Sequence, residues 1–133
     1  MTERLTLTAE YPVPAQDLYR AWMDSAAHSA FTGAAATIDP SPGGTFSAWD
    51  GYILGTTLEV EPPRRIVQAW RTTEFPEGSP DSRLELVFED IEGGARITLH
   101  HSHIPDGQAP GYEQGWQDFY FAPLREYLRA RGA

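Results

Sequence analysis

The sequence predicts an α+β fold in which a curved antiparallel sheet wraps around one long C-terminal helix. Three observations carry this expectation. Residues 45–103 read as short strands separated by turns. Two short helical patterns stand between the first strand and that meander. The last segment repeats apolar residues at helical spacing from Tyr112 to Leu128. A sheet with one apolar face must cover it, and the final helix is the only long amphipathic element available.

Each element has a local reason. Leu5-Thr6-Leu7-Thr8-Ala9-Glu10 alternates apolar and polar residues, the period of a half-buried strand. Pro12 and Pro14 end it, and Pro14 suits the first turn of a helix carrying Leu18, Tyr19, Trp22 and Met23. A second helix is expected with Asp24 or Ser25 as its cap and Gly33 as its C-terminal glycine. Gly43-Gly44 precedes a strand over 45–49, and Asp50-Gly51 predicts a two-residue hairpin into a strand over 52–61. Pro62-Pro63 ends that strand, Arg64-Arg65 opens the next, and 66–72 carries Trp70 near its end. Residues 74–81, rich in Pro, Gly and acid, read as a loop.

Residues 83–91 alternate, with Leu84, Leu86 and Phe88 on one face and Glu85 and Glu89 on the other. Val67 and Val87 fall on the outer parity. Gly93-Gly94 turns the chain into a strand over 95–103, where Ile97, Leu99 and His101 share a face. The closing helix places Tyr112, Trp116, Phe119, Tyr120, Leu124, Tyr127 and Leu128 at spacings of three and four. Pro123 lies inside it, removes the bond to the Phe119 carbonyl, and predicts a kink near the middle. With no repeat or linker, the whole of 1–133 reads as one domain.

Composition narrows the function classes. A chain of 133 residues suits one domain with a sizeable core. The absence of cysteine excludes disulfides, thiolate nucleophiles and cysteine-based metal sites. No lysine is present, which excludes Schiff-base chemistry. The formal charge of −9 argues against nucleic acid and anionic membranes as partners. No apolar run approaches a membrane span and no signal-peptide core opens the chain, so a cytoplasmic location is expected. Walker, GxSxG, HExxH and GxGxxG patterns are all missing, so no cofactor is expected.

The order of several short motifs also carries a resemblance. They are 14–22 (PAQDLYRAW), Gly43-Gly44-Thr45-Phe46, Trp49-Asp50-Gly51, 58–67 (LEVEPPRRIV), Trp70-Arg71, Gly115-Trp116 and Pro123-Leu124. In that order the chain resembles the single-domain relatives of the C-terminal domain of the activator of the Hsp90 ATPase. These belong to the START-like superfamily, also called Bet v 1-like, polyketide-cyclase-like or SRPBCC. Phe31 stands where the second helix of that family usually carries tryptophan. The resemblance implies a helix-grip fold, commonly with an apolar cavity for small hydrophobic ligands. The co-chaperone role belongs to a larger architecture and is not carried over.

The candidate cavity wall comprises Trp22, Phe46, Trp70, Leu84 and Leu86, with Phe88, His101, Trp116 and Tyr120. Aromatic rings supply apolar area, and Trp and Tyr add a polar handle that can orient a ligand. The same rings could instead fill the core. His100-His101-Ser102-His103 is the other cluster. By strand parity His101 and His103 face one side and His100 the other, so the three cannot share one site, and no metal is expected. Arg71, if buried, needs an anion, either a carboxylate of the protein, which is the expected partner, or the acid group of a ligand. No residue is assigned a catalytic role.

Three readings stay open. The first is a binder of a small hydrophobic or amphipathic molecule. The second is a cyclase- or hydratase-like enzyme in which His101 with Tyr120 or Tyr52 would move protons. The third is a protein-interaction module, and the oligomeric state is left unassigned.

Overall fold

The computed structural model describes residues 2–132, with side chains for 2–130. Strand β1 (Thr2–Tyr11) leads into helices α1 (Ala15–Met23) and α2 (Ser25–Thr32). A meander follows: β2 (Thr37–Ile38), β3 (Thr45–Ala48), β4 (Ile53–Glu61), β5 (Arg65–Thr72), β6 (Ser82–Ile91) and β7 (Gly94–Pro105). All neighbours pair antiparallel in the order β1-β7-β6-β5-β4-β3-β2. The C-terminal helix runs as α3 (Ala109–Trp116), a π turn (Gln117–Phe121) and α4 (Ala122–Gly132).

The caps follow the local chemistry. Asp24 Oδ2 accepts the Ala27 N–H at 2.8 Å, and α2 ends at Gly33 in the left-handed region. The first turn of α1 has no side-chain cap of its own; Asp90 on β6 accepts the Ala15 N–H at 2.9 Å instead. Pro123 acts through one π turn. The Ala122 N–H reaches back to the Gln117 carbonyl, which re-registers the helix just ahead of the proline.

Leu18, Ile66, Leu84, Leu86, Ile97, Leu99 and Leu124 are fully buried between the sheet, α1 and the C-terminal helix. β1 clamps the second half of that helix. The Tyr11 hydroxyl donates to the Phe121 carbonyl at 2.9 Å, and the Arg125 guanidinium lies over the Tyr11 ring at 4.6 Å. The Glu3 carboxylate accepts the Ala109 N–H at 2.9 Å and fixes the start of α3. The helix is thus held on the β1–β7 side. Toward β3–β5 the first half of the helix leaves open space.

Three expectations are corrected. The β3–β4 link spans four residues, Trp49 to Tyr52, rather than two, because Ala48 pairs with Ile53. Trp49, Asp50 and Gly51 all take positive φ there, and Asp50 is tied to Ala35 through both its backbone N–H and its side chain. His103 does not share the His101 face. A β-bulge opposite β1 puts His103 at φ +58 and turns it to solvent, while Ile104 takes the inward place. Val67 has the outer parity but is 1% exposed. Its cross-strand neighbours are Glu59 and Glu85, whose carboxylates both bind Arg65, at 3.0 and 2.6 Å. Glu89 on the same face pairs with Arg96 at 3.5 Å. Arg71 is half-buried and binds Asp81 at 2.8 Å and the Ser79 carbonyl at 2.9 Å.

Candidate functional site: an aromatic cleft beside the C-terminal helix

Two buried histidines organise the aromatic core beneath the site. An indole N–H can only donate, so the Trp116 Nε1–H that lies 3.2 Å from His101 makes Nδ1 the acceptor. The His101 proton therefore sits on Nε2 and goes to Ser82 Oγ at 2.8 Å. Ser82 in turn donates to the Trp70 carbonyl at 2.8 Å. On the other flank, His28 Nδ1–H donates to the Trp22 carbonyl at 2.8 Å, and its Nε2 accepts from the Tyr120 hydroxyl at 3.0 Å. Every valence of both rings is used. Burial holds both neutral, with the pKa lowered to about 4 for His28 and about 3 for His101.

These relays fix the rings around them. Trp22 stacks on Tyr120 at 4.9 Å, and Trp70 meets Trp116 at 5.5 Å and His101 edge-on at 4.6 Å. The interior they enclose is nearly full. The void bordered by Trp22, His28, Phe46 and Leu84 measures about 10 Å³, room for one water at most. Leu86 lies deeper, at 0% exposure, and Phe88 packs edge-on against Tyr19 at 5.5 Å.

Free volume lies in two open clefts: a groove of about 960 Å³ among α1, α2 and α4, lined by Asp17, Arg20, Ala27 and Leu128, and the cleft beneath α3, whose lining is far more aromatic. This second cleft, of about 570 Å³ and open to solvent, separates α3 and the π turn from the β3–β4 link, β4 and β5. Its floor is Ile53, Trp70, Trp116 and Tyr120; Trp49 and Phe119 meet edge-on at its wall, 5.6 Å apart. Trp70, Trp116 and Tyr120 are thus the cavity candidates on this wall. Trp22, Phe46 and Leu84 border the small void instead. His101 sits behind Trp70 and Trp116.

A hydrogen-bonded cluster forms the polar wall. Thr72 Oγ1 donates to the Tyr112 hydroxyl at 2.7 Å, which donates to Gln108 Oε1 at 2.7 Å. Gln108 Nε2 donates to the Glu74 carbonyl at 3.0 Å. The Tyr52 hydroxyl donates to the Glu74 carboxylate. Burial raises the pKa of both Tyr52 and Tyr112, and the Glu74 carboxylate adds to the rise at Tyr52. Both phenols stay protonated at neutral pH.

The helix wall is cut back by glycine. Gly111 and Gly115 lie one turn apart and both line the cleft, with Gly107 in the turn before them. A Cβ on Gly111 would meet nothing within 4 Å, and one on Gly115 would meet only the Phe119 ring at 3.8 Å. Glycine costs a helix interior about 1 kcal/mol relative to alanine, so this wall is smooth at the expense of helix stability. Gly111→Ala is expected to raise the unfolding free energy by about 0.5–1 kcal/mol, read as a higher melting temperature. The spacing of Gly107, Gly111, Gly115 and Phe119, four apart, was the signal in the sequence for this wall. Glu74 and Gln108 carried no such signal, because the loop bearing Glu74 meets the start of α3 only through the fold, and Tyr112 reads from the sequence only as part of the helix's aromatic repeat.

Among the described residues, no group of three or more His, Asp or Glu side chains is placed to hold a metal ion. No helix among them is long and apolar enough to cross a membrane.

Fold and cleft together define a helix-grip domain of the START-like type. The chain belongs to the Activator of Hsp90 ATPase homolog 1-like protein family, whose model matches residues 12–129. It is 30% identical over 125 residues to human Activator of 90 kDa heat shock protein ATPase homolog 1, covering 94% of this chain and 37% of the human protein. The chain thus spans little more than a third of that relative's length. An Hsp90 activator from Plasmodium falciparum superposes with a TM-score of 0.84 at 28% identity, covering 97% of this chain and 96% of that one. The solution structure of CalU16 from Micromonospora echinospora gives a TM-score of 0.79 at 25% identity, over 95% and 65% of the two chains.

Proposed function

We propose that this protein binds a small hydrophobic or amphipathic molecule in the cleft between the C-terminal helix and the β4–β5 end of the sheet. The observation that carries the reading is the combination of an aromatic floor and a helix wall stripped to glycine. The volume falls within the range of small-molecule sites, and apolar walls with a few converging polar groups are what such sites present. Trp70, Trp116 and Tyr120 would contact the apolar body. The Tyr52–Glu74–Gln108–Tyr112 cluster would orient a polar end. Trp22, Phe46, Leu84 and His101 would back that floor, and Leu86 and Phe88 belong to the core. Native mass spectrometry of freshly purified protein tests this, backed by titration with the neutral dye Nile red. A retained small molecule, or saturable one-to-one dye binding, is expected. A clean apo mass with no saturable response contradicts the reading.

A second reading follows from the names of the relatives, which are activators of the Hsp90 ATPase. In it the domain acts on a protein partner through exposed Leu54, Leu58 and Phe119. Stimulation of an Hsp90 ATPase by the purified chain would favour it. For the enzyme reading, both His101 nitrogens are hydrogen-bonded inside the core, and proton transfer in the cleft would fall to Tyr52 and Glu74.

A further inference from the structure

The cleft carries a single kind of charge. None of its lining residues is arginine, lysine or histidine, and Glu74 is its only carboxylate. Arg71, the cation on the adjoining strand, is turned away into its bonds with Asp81 and the Ser79 carbonyl and lies over Phe75 at 5.3 Å. The other polar groups of the wall are neutral phenols and an amide. Six of the lining side chains are Trp, Tyr or Phe from the link and the helix, besides Trp70. Aromatic rings attract cations through their quadrupole, and Trp does so best. A carboxylate beside such rings, with no opposing cation, repels an acid head group and completes a cradle for an ammonium.

Resting on the reading of the cleft as a small-molecule site, we propose that its ligands are cationic amphiphiles. An alkylammonium or arylalkylammonium head sits at the mouth against Glu74, Tyr52 and Trp49, and the apolar body lies on Trp70 and Trp116. Fatty acids, sulfates and other anionic amphiphiles are disfavoured by the same carboxylate.

The test is a competition series against Nile red with octyltrimethylammonium, 1-octanol and octyl sulfate, below their micelle concentrations. It is run on the wild type and on Glu74→Gln, at low ionic strength and in about 0.5 M salt, where charges more than a few ångströms apart are screened. Glu74 is exposed and glutamine keeps an acceptor for Tyr52, so the variant is expected to fold. Octyltrimethylammonium is expected to bind about tenfold more tightly than octyl sulfate, with the preference cut about threefold by Glu74→Gln and partly kept in high salt. Equal or tighter binding of the sulfate overturns the proposal and leaves the cleft reading standing. A cation preference that vanishes in salt and ignores Glu74→Gln also overturns it, assigning the effect to the net charge of −9. Failure of all three probes and of the dye removes both.

Discussion

His101→Ala is expected to lower the unfolding free energy by about 4 kcal/mol, as in other large-to-small changes at fully buried sites that also orphan polar groups. His101 is 0% exposed and stands at the joint between β6, β7 and the C-terminal helix. Its removal opens a cavity against Trp70 and Trp116 and leaves the Trp116 indole N–H without an acceptor. His101→Phe separates the two contributions. It restores most of the volume but none of the hydrogen bonding, so about half of the loss is expected to remain, the cost of a buried unpaired donor. Urea unfolding followed by Trp emission checks both variants. If His101→Phe is as stable as the wild type, the relay does not hold the helix to the sheet.

Acid is expected to unfold this protein well above the carboxylate range. Folded, His28 and His101 stay neutral down to about pH 4 and about pH 3; unfolded, both titrate near their ordinary value of 6.5. Between those limits the unfolded chain binds more protons, so stability is fully present above pH 6.5 and falls as the pH falls. Each histidine contributes a slope of up to about 1.4 kcal/mol per pH unit, or about 3 kcal/mol for the pair. Over two units that approaches the whole stability of a typical small domain. Urea midpoints measured from about pH 7.5 down to about pH 4.5 should drop steeply below 6.5. His28→Gln should roughly halve the slope. A flat profile down to pH 5 would mean that the buried rings accept protons at little cost.

Much of the fold was legible because its signals are periodic or local. The alternation in 83–91 placed Leu84, Leu86 and Phe88 inward. The Asp24 and Gly33 pair bounded α2, and the aromatic repeat marked the last helix. What escaped were departures from periodicity. Parity counting carries His103 to the His101 face, but one bulged residue at positive φ reverses every later position on β7. The Asp50-Gly51 pair does turn the chain, yet Trp49 joins it in the left-handed region and widens the link. Val67 reads as outward, and the Arg65 ion-pair network beside it was not visible from strand parity.

The site was legible only in part, for a related reason. Inward parity groups Trp70 with Leu84, Leu86 and Phe88, and nothing in the pattern says which side chains meet a neighbour and which meet a void. The helix is pinned to β1 through Tyr11, Glu3 and Arg125, so packing closes on that side and opens at β4 and β5. Gly111 and Gly115 are residues that a helix under no other constraint would not favour, and that local clue to the opening went unread in the aromatic repeat around them.

The most direct measurement is a Nile red titration of the wild type beside Gly111→Leu/Gly115→Leu. A Cβ meets nothing within 4 Å at Gly111 and only the Phe119 ring, at an ordinary 3.8 Å, at Gly115, and each leucine replaces an unfavourable helix glycine, so the variant is expected to fold with an equal or higher melting temperature. The account predicts that it loses dye affinity by about a hundredfold, the effect of filling an apolar pocket with two side chains. Unchanged affinity in a folded variant would place the bound molecule elsewhere and contradict the cleft as the binding site.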